Sequence, residues 1–190
     1  MRAFIAIELP KEIKNSLSCL QEELKKQNAD VKWVDHSNIH LTLKFLGEIE
    51  DKKIDKLVSI MQEVAKNNPS FAIGICSLGA FPKIEFPRII WVGIDKGDKE
   101  TKKLAQDLEE RLFRLDIPKE DRSFSSHITI ARVKSNLNRI KLTEALKKLE
   151  DNWSRKTLEF PVAKITLFKS TLTPKGALYE ALKETTLEAI

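Results

Sequence analysis

Apolar residues along this chain of 190 residues follow two rhythms, one of period two and one of period near 3.6. The opening run RAFIAIEL has the first. Ala3, Ile5, Ile7 and Leu9 share one face of a strand, and Arg2, Phe4, Ala6 and Glu8 share the other. The stretch that follows, PKEIKNSLSCLQEELKK, has the second. Ile13, Leu17, Leu20 and Leu24 form one helical stripe, with Pro10 suited to the first turn. Similar stripes run through Ile54, Leu57, Val58, Met61 and Val64, through Leu104, Leu108, Leu112 and Leu115, and through Leu142, Leu146 and Leu149. Strand-like segments lie between them: KWV, HLTLKFLG, FAIGICSLG, RIIWVGI, HITIARV, ITLFKSTL and ALYEAL. This rhythm predicts an α+β protein of mostly antiparallel sheet.

Two of the strand segments open alike. HLTL at His40–Leu43 and HITI at His127–Ile130 use two of the chain's three histidines. Side chains alternate along a strand, so His40 and Thr42 share one face while Leu41 and Leu43 point to the core. His127 and Thr129 are displayed in the same way over Ile128 and Ile130. Chance would place an apolar-Thr-apolar run after a given histidine only about once in a hundred. The repetition therefore predicts two pseudo-symmetric lobes, one from each half, within a single bilobal domain spanning 1–190. The third histidine, His36, lies in the turn-like run VDHSNIH and is read as a surface residue.

Composition narrows the partner more than the fold. The net charge of +5 suits an anionic partner. Cys19 and Cys76 are too few and too far apart for a disulfide framework, and buried thiols are expected. The run MRAFIAIELPKEIK is apolar too briefly for a signal peptide, and no stretch approaches a membrane span, so a cytoplasmic protein is expected.

Two imidazoles on opposite walls of a cleft can flank a phosphodiester. One takes a proton from attacking water and the other gives one to the leaving oxygen. Thr42 and Thr129 add neutral donors for the non-bridging oxygens. A zinc site wants three or four ligands, and neither signature brings Asp, Glu or Cys to the displayed face. No G-x-S-x-G, P-loop or G-x-G-x-x-G stretch is present, so neither serine-hydrolase nor nucleotide-triphosphate chemistry is supported. A non-catalytic RNA-binding module remains the alternative.

With these motifs the chain resembles the 2H phosphoesterase superfamily, and within it the RNA 2′,3′-cyclic phosphodiesterases, historically called 2′-5′ RNA ligases. The likeness runs through RAFIAIELP, VKWVDHSNIHLTLKFLGEI, LGAFPKIEFPRIIWVGI, RSFSSHITIARVK and FKSTLTPKGALYEAL. It departs at Ser126, where the family often has proline. The resemblance implies a bilobal fold, no metal or cofactor, and hydrolysis of a 2′,3′-cyclic phosphate to a 2′-phosphomonoester. On that pattern His40 is the proton donor, His127 the proton acceptor, and Thr42 and Thr129 the phosphate binders; the residues alone leave the two histidines interchangeable. It further implies reversible 2′-5′ joining of RNA ends, with tRNA halves among the substrates; a monomer is the default expectation. A small nucleotide such as ADP-ribose cyclic phosphate offers the same cyclic diester.

Three more residues are substrate-binding candidates. Lys44 shares the His40 face under strict alternation and is expected to meet a backbone phosphate. Phe4, on the non-core face of its strand, is expected to stack on a nucleobase or to line the lobe junction. Arg132 matches an arginine often found near the substrate phosphate in the family. Strict alternation puts it with Ile128 and Ile130, so it reaches the cleft only if the strand ends or bulges.

Overall fold

The computed structural model describes residues 1–153, 158–174 and 176–189. Strand β1 (Arg2–Glu8) leads to helix α1 (Lys11–Lys25), and the short β2 (Val31–Trp33) and a 3₁₀ turn over His36–Asn38 lead to β3 (His40–Glu48). Then come α2 (Ile54–Lys66), β4 (Phe71–Phe81), β5 (Ile89–Ile94), α3 (Asp98–Leu112) and β6 (His127–Val133). Helix α4 (Arg139–Trp153), β7 (Leu158–Val162), β8 (Lys164–Thr173) and β9 (Gly176–Thr186) complete the order.

The helical stripes are buried where periodicity puts them: Ile13, Leu17, Leu20 and Leu24 in α1, and Leu104, Leu108 and Leu112 in α3. The stripe read through Leu115 overshoots. After Leu112 the chain tightens into a 3₁₀ turn, and Asp116 adopts a left-handed conformation that ends it. Strand β7 has no counterpart among the expected segments because LEFPV carries Pro161. It is tolerated because β7 is an edge strand.

The strands form two sheets, in the orders β3-β1-β8-β9 and β2-β6-β5-β4-β7, with antiparallel pairing throughout. The order β3-β1-β8-β9 matches β6-β5-β4-β7 position for position, which is the pseudo-symmetry of the two lobes. The expectation that each half of the chain builds its own lobe is corrected. Strand β4 is joined to β5 by a short turn and pairs with it in the second sheet. Its counterpart β8 crosses to pair with β1 in the first. The helices cross as well. Helices α2 and α3 cover the first sheet, and α1 and α4 the second.

Leu41 and Leu43 of β3 and Ile128 and Ile130 of β6 are buried in one continuous core. Each fully buried side chain of this kind contributes about 1.5–3 kcal/mol. That anchorage holds the opposite faces of β3 and β6, which carry the histidines, in fixed positions.

Candidate active site

Both signature strands carry a bulge at the same place. On β3, Thr42 pairs with Ala6 and Lys44 with Ile5, so Leu43 is the extra residue. On β6, Thr129 pairs with Trp91 and Ala131 with Ile90, so Ile130 is the extra residue. A bulge inserts one residue and reverses the alternation beyond it. Leu43 and Lys44 therefore both point inward, as do Ile130 and Ala131, and the cleft face resumes at Phe45 and Arg132. The carbonyl of Ile130 is not left bare. It accepts the Val34 N–H at 3.0 Å and the buried Gln21 side-chain amide at 2.8 Å.

The two imidazoles are held by one device used twice. His40 Nδ1–H donates to the carbonyl of Asn38 at 2.7 Å, and His127 Nδ1–H donates to the carbonyl of Ser125 at 2.8 Å. A carbonyl can only accept, so each ring keeps its proton on Nδ1 and presents Nε2 to the cleft. His40 Nε2 accepts from the Thr42 hydroxyl at 2.9 Å. The turn before His40 is itself tied down, because the Asn38 side-chain amide donates to the carbonyl of Ala177 at 2.8 Å. This bond ties the turn before His40 to strand β9.

Each ring lies against aromatic groups. Phe4 stacks on His40 at 4.8 Å and 27°, and Tyr179 meets His40 edge-on at 5.3 Å. On β1, small Ala6 stands opposite Thr42. In the second lobe Trp91 stands at the matching position, and Phe81 meets His127 edge-on at 5.1 Å. Burial pushes the His40 imidazolium down to about 4, with the Asn38 carbonyl opposing the shift and the Lys14 cation adding to it. Burial also lowers His127, with Ser125 opposing and Arg132 adding. Tyr179 is raised by burial, against the pull of Arg132 and Arg2. The charge of Arg132 thus reaches His127 in its own lobe and Tyr179, the neighbour of His40, in the other.

The structure therefore brings His40, Thr42, His127, Thr129 and Arg132 to the cleft faces of the two lobes. It corrects two candidates. Lys44 does not share the face of His40, because the bulge turns it into the core. Its side chain is 2% exposed, and Nζ donates to Glu109 Oε1 at 2.9 Å and to the Pro118 carbonyl at 2.8 Å. Phe4 is 3% exposed beneath His40, Phe168 and Tyr179, so its faces are already covered and cannot stack on a base. The aromatic ring that is open is Phe45, 59% exposed and opposite Phe4 on β3. Phe45, Tyr179 and Asn38 were not among the sequence candidates. The F of HLTLKFLG was visible, but only the bulge gives it the cleft face. His36 is exposed and bonds Asn15, as expected. Cys76 is partly buried, whereas Cys19 is exposed, contrary to expectation. Among the described residues no group of three or more His, Cys, Asp or Glu is arranged to hold a metal ion, and no helix is long and apolar enough to cross a membrane.

A bilobal α+β fold with one His-x-Thr pair on each lobe defines a class of phosphoesterase, and the sequence comparisons name it. The profile of the LigT like phosphoesterase family matches twice, over residues 7–91 and 92–179, with one signature in each match. This chain belongs to that family. It is 34% identical to an RNA 2′,3′-cyclic phosphodiesterase of Methanocaldococcus jannaschii, over 97% of this chain and 99% of the relative. It is also 34% identical to one of Aquifex aeolicus, over 97% and 96% of the two chains. A crystal structure from Thermus thermophilus superposes with a TM-score of 0.80 at 26% identity, covering 100% of this chain and 99% of that one. The fold is shared with E. coli LigT complexed with 3′-AMP, at a TM-score of 0.76 and 23% identity, over 98% and 97% of the two chains.

Proposed function

We propose that this chain hydrolyses RNA 2′,3′-cyclic phosphate ends to 2′-phosphomonoesters by metal-independent acid–base catalysis. The observation that carries the reading is the paired setting of the imidazoles, each with Nδ1–H on a backbone carbonyl and with Nε2, unprotonated, left as the atom that can take up a proton. The relatives are named RNA 2′,3′-cyclic phosphodiesterases, which supports a 2′,3′-cyclic phosphate end as the substrate. His127 Nε2 takes a proton from water as the water oxygen bonds to phosphorus. The bond from phosphorus to the 3′ oxygen breaks, and His40 Nε2–H protonates that oxygen.

Burial keeps His40 neutral before substrate arrives. An incoming cyclic phosphate carries the negative charge that favours the imidazolium, so the substrate itself helps to load the acid. Once Nε2 carries a proton, the Thr42 hydroxyl no longer donates to it and turns to a non-bridging oxygen. Thr129 serves the opposite side, and Arg132 offers a planar fork of donors to the same phosphate. Phe45 gives the terminal base an open face for stacking.

The same step extends the reading to 2′-5′ joining of RNA ends, tRNA halves included: a 5′-hydroxyl takes the place of water, giving its proton to His127 while His40 protonates the departing 3′ oxygen, and only cleavage of the 2′-5′ bond exchanges the two roles. Each lobe supplies one histidine, so a monomer suffices. The two unpaired cysteines suit a cytoplasmic setting. A small cyclic nucleotide such as ADP-ribose cyclic phosphate fits the same acid–base pair.

The test is incubation with an oligonucleotide ending in a 2′,3′-cyclic phosphate, with EDTA present, followed by identification of the product end. A 2′-phosphate supports the reading. A 3′-phosphate reverses the assignment of the leaving oxygen, and an intact cyclic end removes the catalytic proposal.

A further inference from the structure

The register of β2 against β6 sets two cations side by side. Lys32 is the direct cross-strand partner of Arg132, so both side chains leave the sheet on one face, the face of His127 and Thr129. Like charges directly opposed weaken a strand pair. No compensating carboxylate relieves this one, since neither Lys32 nor Arg132 forms an ion pair among the described residues. The other neighbour of Arg132, Ile89 on β5, brings no charge. Asp30 stands one step along the same face, opposite Lys134, and takes the Lys134 N–H on its backbone carbonyl without pairing to either cation.

An anion spanning the two side chains would remove the repulsion. Arg132 already lies within electrostatic reach of His127 and Tyr179. Strand β2 is the outermost of its sheet, so Lys32 carries positive charge away from the reacting centre by one strand spacing, about 4.8 Å. The cation pair is thus continuous with the cleft and leads out of it along an exposed edge. A free cyclic nucleotide has no second phosphate to place there, whereas an RNA strand has one at every residue.

We propose that Lys32 binds the phosphodiester next to the cyclic phosphate held at Arg132, which makes the end of an RNA strand a better substrate than a free cyclic mononucleotide. This rests on the cyclic-phosphodiesterase reading above.

The experiment compares wild type, Lys32→Gln and Lys32→Arg on a 2′,3′-cyclic mononucleotide and on a short oligonucleotide with the same cyclic end, across a range of salt. Wild type should prefer the oligonucleotide. Lys32→Gln should lose about fivefold to tenfold in kcat/KM on it and keep its rate on the mononucleotide. Its log–log salt slope should shrink by about 0.7, the value of one released counterion on a single strand. Lys32→Arg should restore both. Equal loss on the two substrates, an unchanged salt slope, or no wild-type preference would overturn the assignment. Equilibrium binding of the cyclic-ended oligonucleotide to wild type and Lys32→Gln, in the same salt series, decides the role of Lys32 separately. If wild type cleaves neither substrate, the catalytic reading fails while that binding difference still supports or rejects the subsite.

Discussion

Phe45 and Arg132 occupy the same place in two strands, each the fifth residue beyond its histidine and each returned to the cleft by a bulge just before it. The lobes are chemical copies through His-x-Thr and part company here. One offers an aromatic face and the other a cation, so the two walls differ in chemistry beyond the shared signature.

Replacing either histidine should stop turnover without unfolding the chain. His40→Ala and His127→Ala are each expected to lower kcat about 10²–10⁴-fold. The double variant should lose little more than the worse single one, because the two act as a unit. Cooperative urea unfolding, followed by circular dichroism, checks that the fold survives. Residual activity near wild type in either variant rejects the acid–base pair.

Acid should destabilise the folded chain before its carboxylates titrate. His40 takes a proton at about 4 when folded but near 6.5 when unfolded. The unfolded chain therefore binds more protons in that window, and stability rises with pH up to about 6.5 and then levels. His127, also lowered, acts in the same direction. Moving from pH 7 to pH 5 should remove about 2 kcal/mol through His40 alone, measured by urea denaturation. In His40→Ala that dependence should flatten, and an unchanged slope would refute the buried neutral ring.

Lys44 is expected to matter for stability rather than for substrate. Burial raises the Glu109 carboxyl, but the Glu120 N–H and the Lys44 ammonium outweigh it and leave it below its ordinary range. Lys44→Met removes the cation from this group and frees the Pro118 carbonyl. A loss of about 3 kcal/mol follows for breaking a buried pair, while KM on the folded fraction stays put. A KM that rises strongly with unchanged stability would restore Lys44 as a phosphate ligand.

Gly79 should tolerate no side chain. A Cβ there would stand 2.5 Å from the Trp91 ring, and Trp91 in turn lies 6.5 Å from His127. Gly79→Ala is expected to cost about 1–3 kcal/mol by overpacking and to alter the near-ultraviolet circular dichroism of Trp91. Adding Trp91→Phe should recover part of that stability. If the alanine variant matches wild type in both measurements, the close approach is wrong.

Hydrophobic period was enough to find the four helices and most of the strands, because the stripes in α1 and α3 and the alternation in β1 are regular. It failed at Pro161, where local preference opposed a strand that sheet position permits. The cleft was legible in part. His40, Thr42, His127 and Thr129 precede the bulges, so alternation places them correctly. Lys44 and Arg132 follow the bulges, and for both alternation names the wrong face. A bulge is stabilised by distant partners such as Gln21, which donates to the Ile130 carbonyl from helix α1, and no local pattern in HITIARV reports that. Phe4 was misjudged for a related reason. The ring is on the cleft side, but Tyr179 and Phe168 arrive from the far end of the chain to cover it.

The crossing of β8 to β1 has a consequence for synthesis. As the polypeptide leaves the ribosome, β1 can pair with β3, yet its other side stays open until residues 164–173 have been made. For most of translation that apolar edge is a template for wrong partners. The nascent chain thus waits on β8 and β9, and a product ending before them would expose the seam that they close.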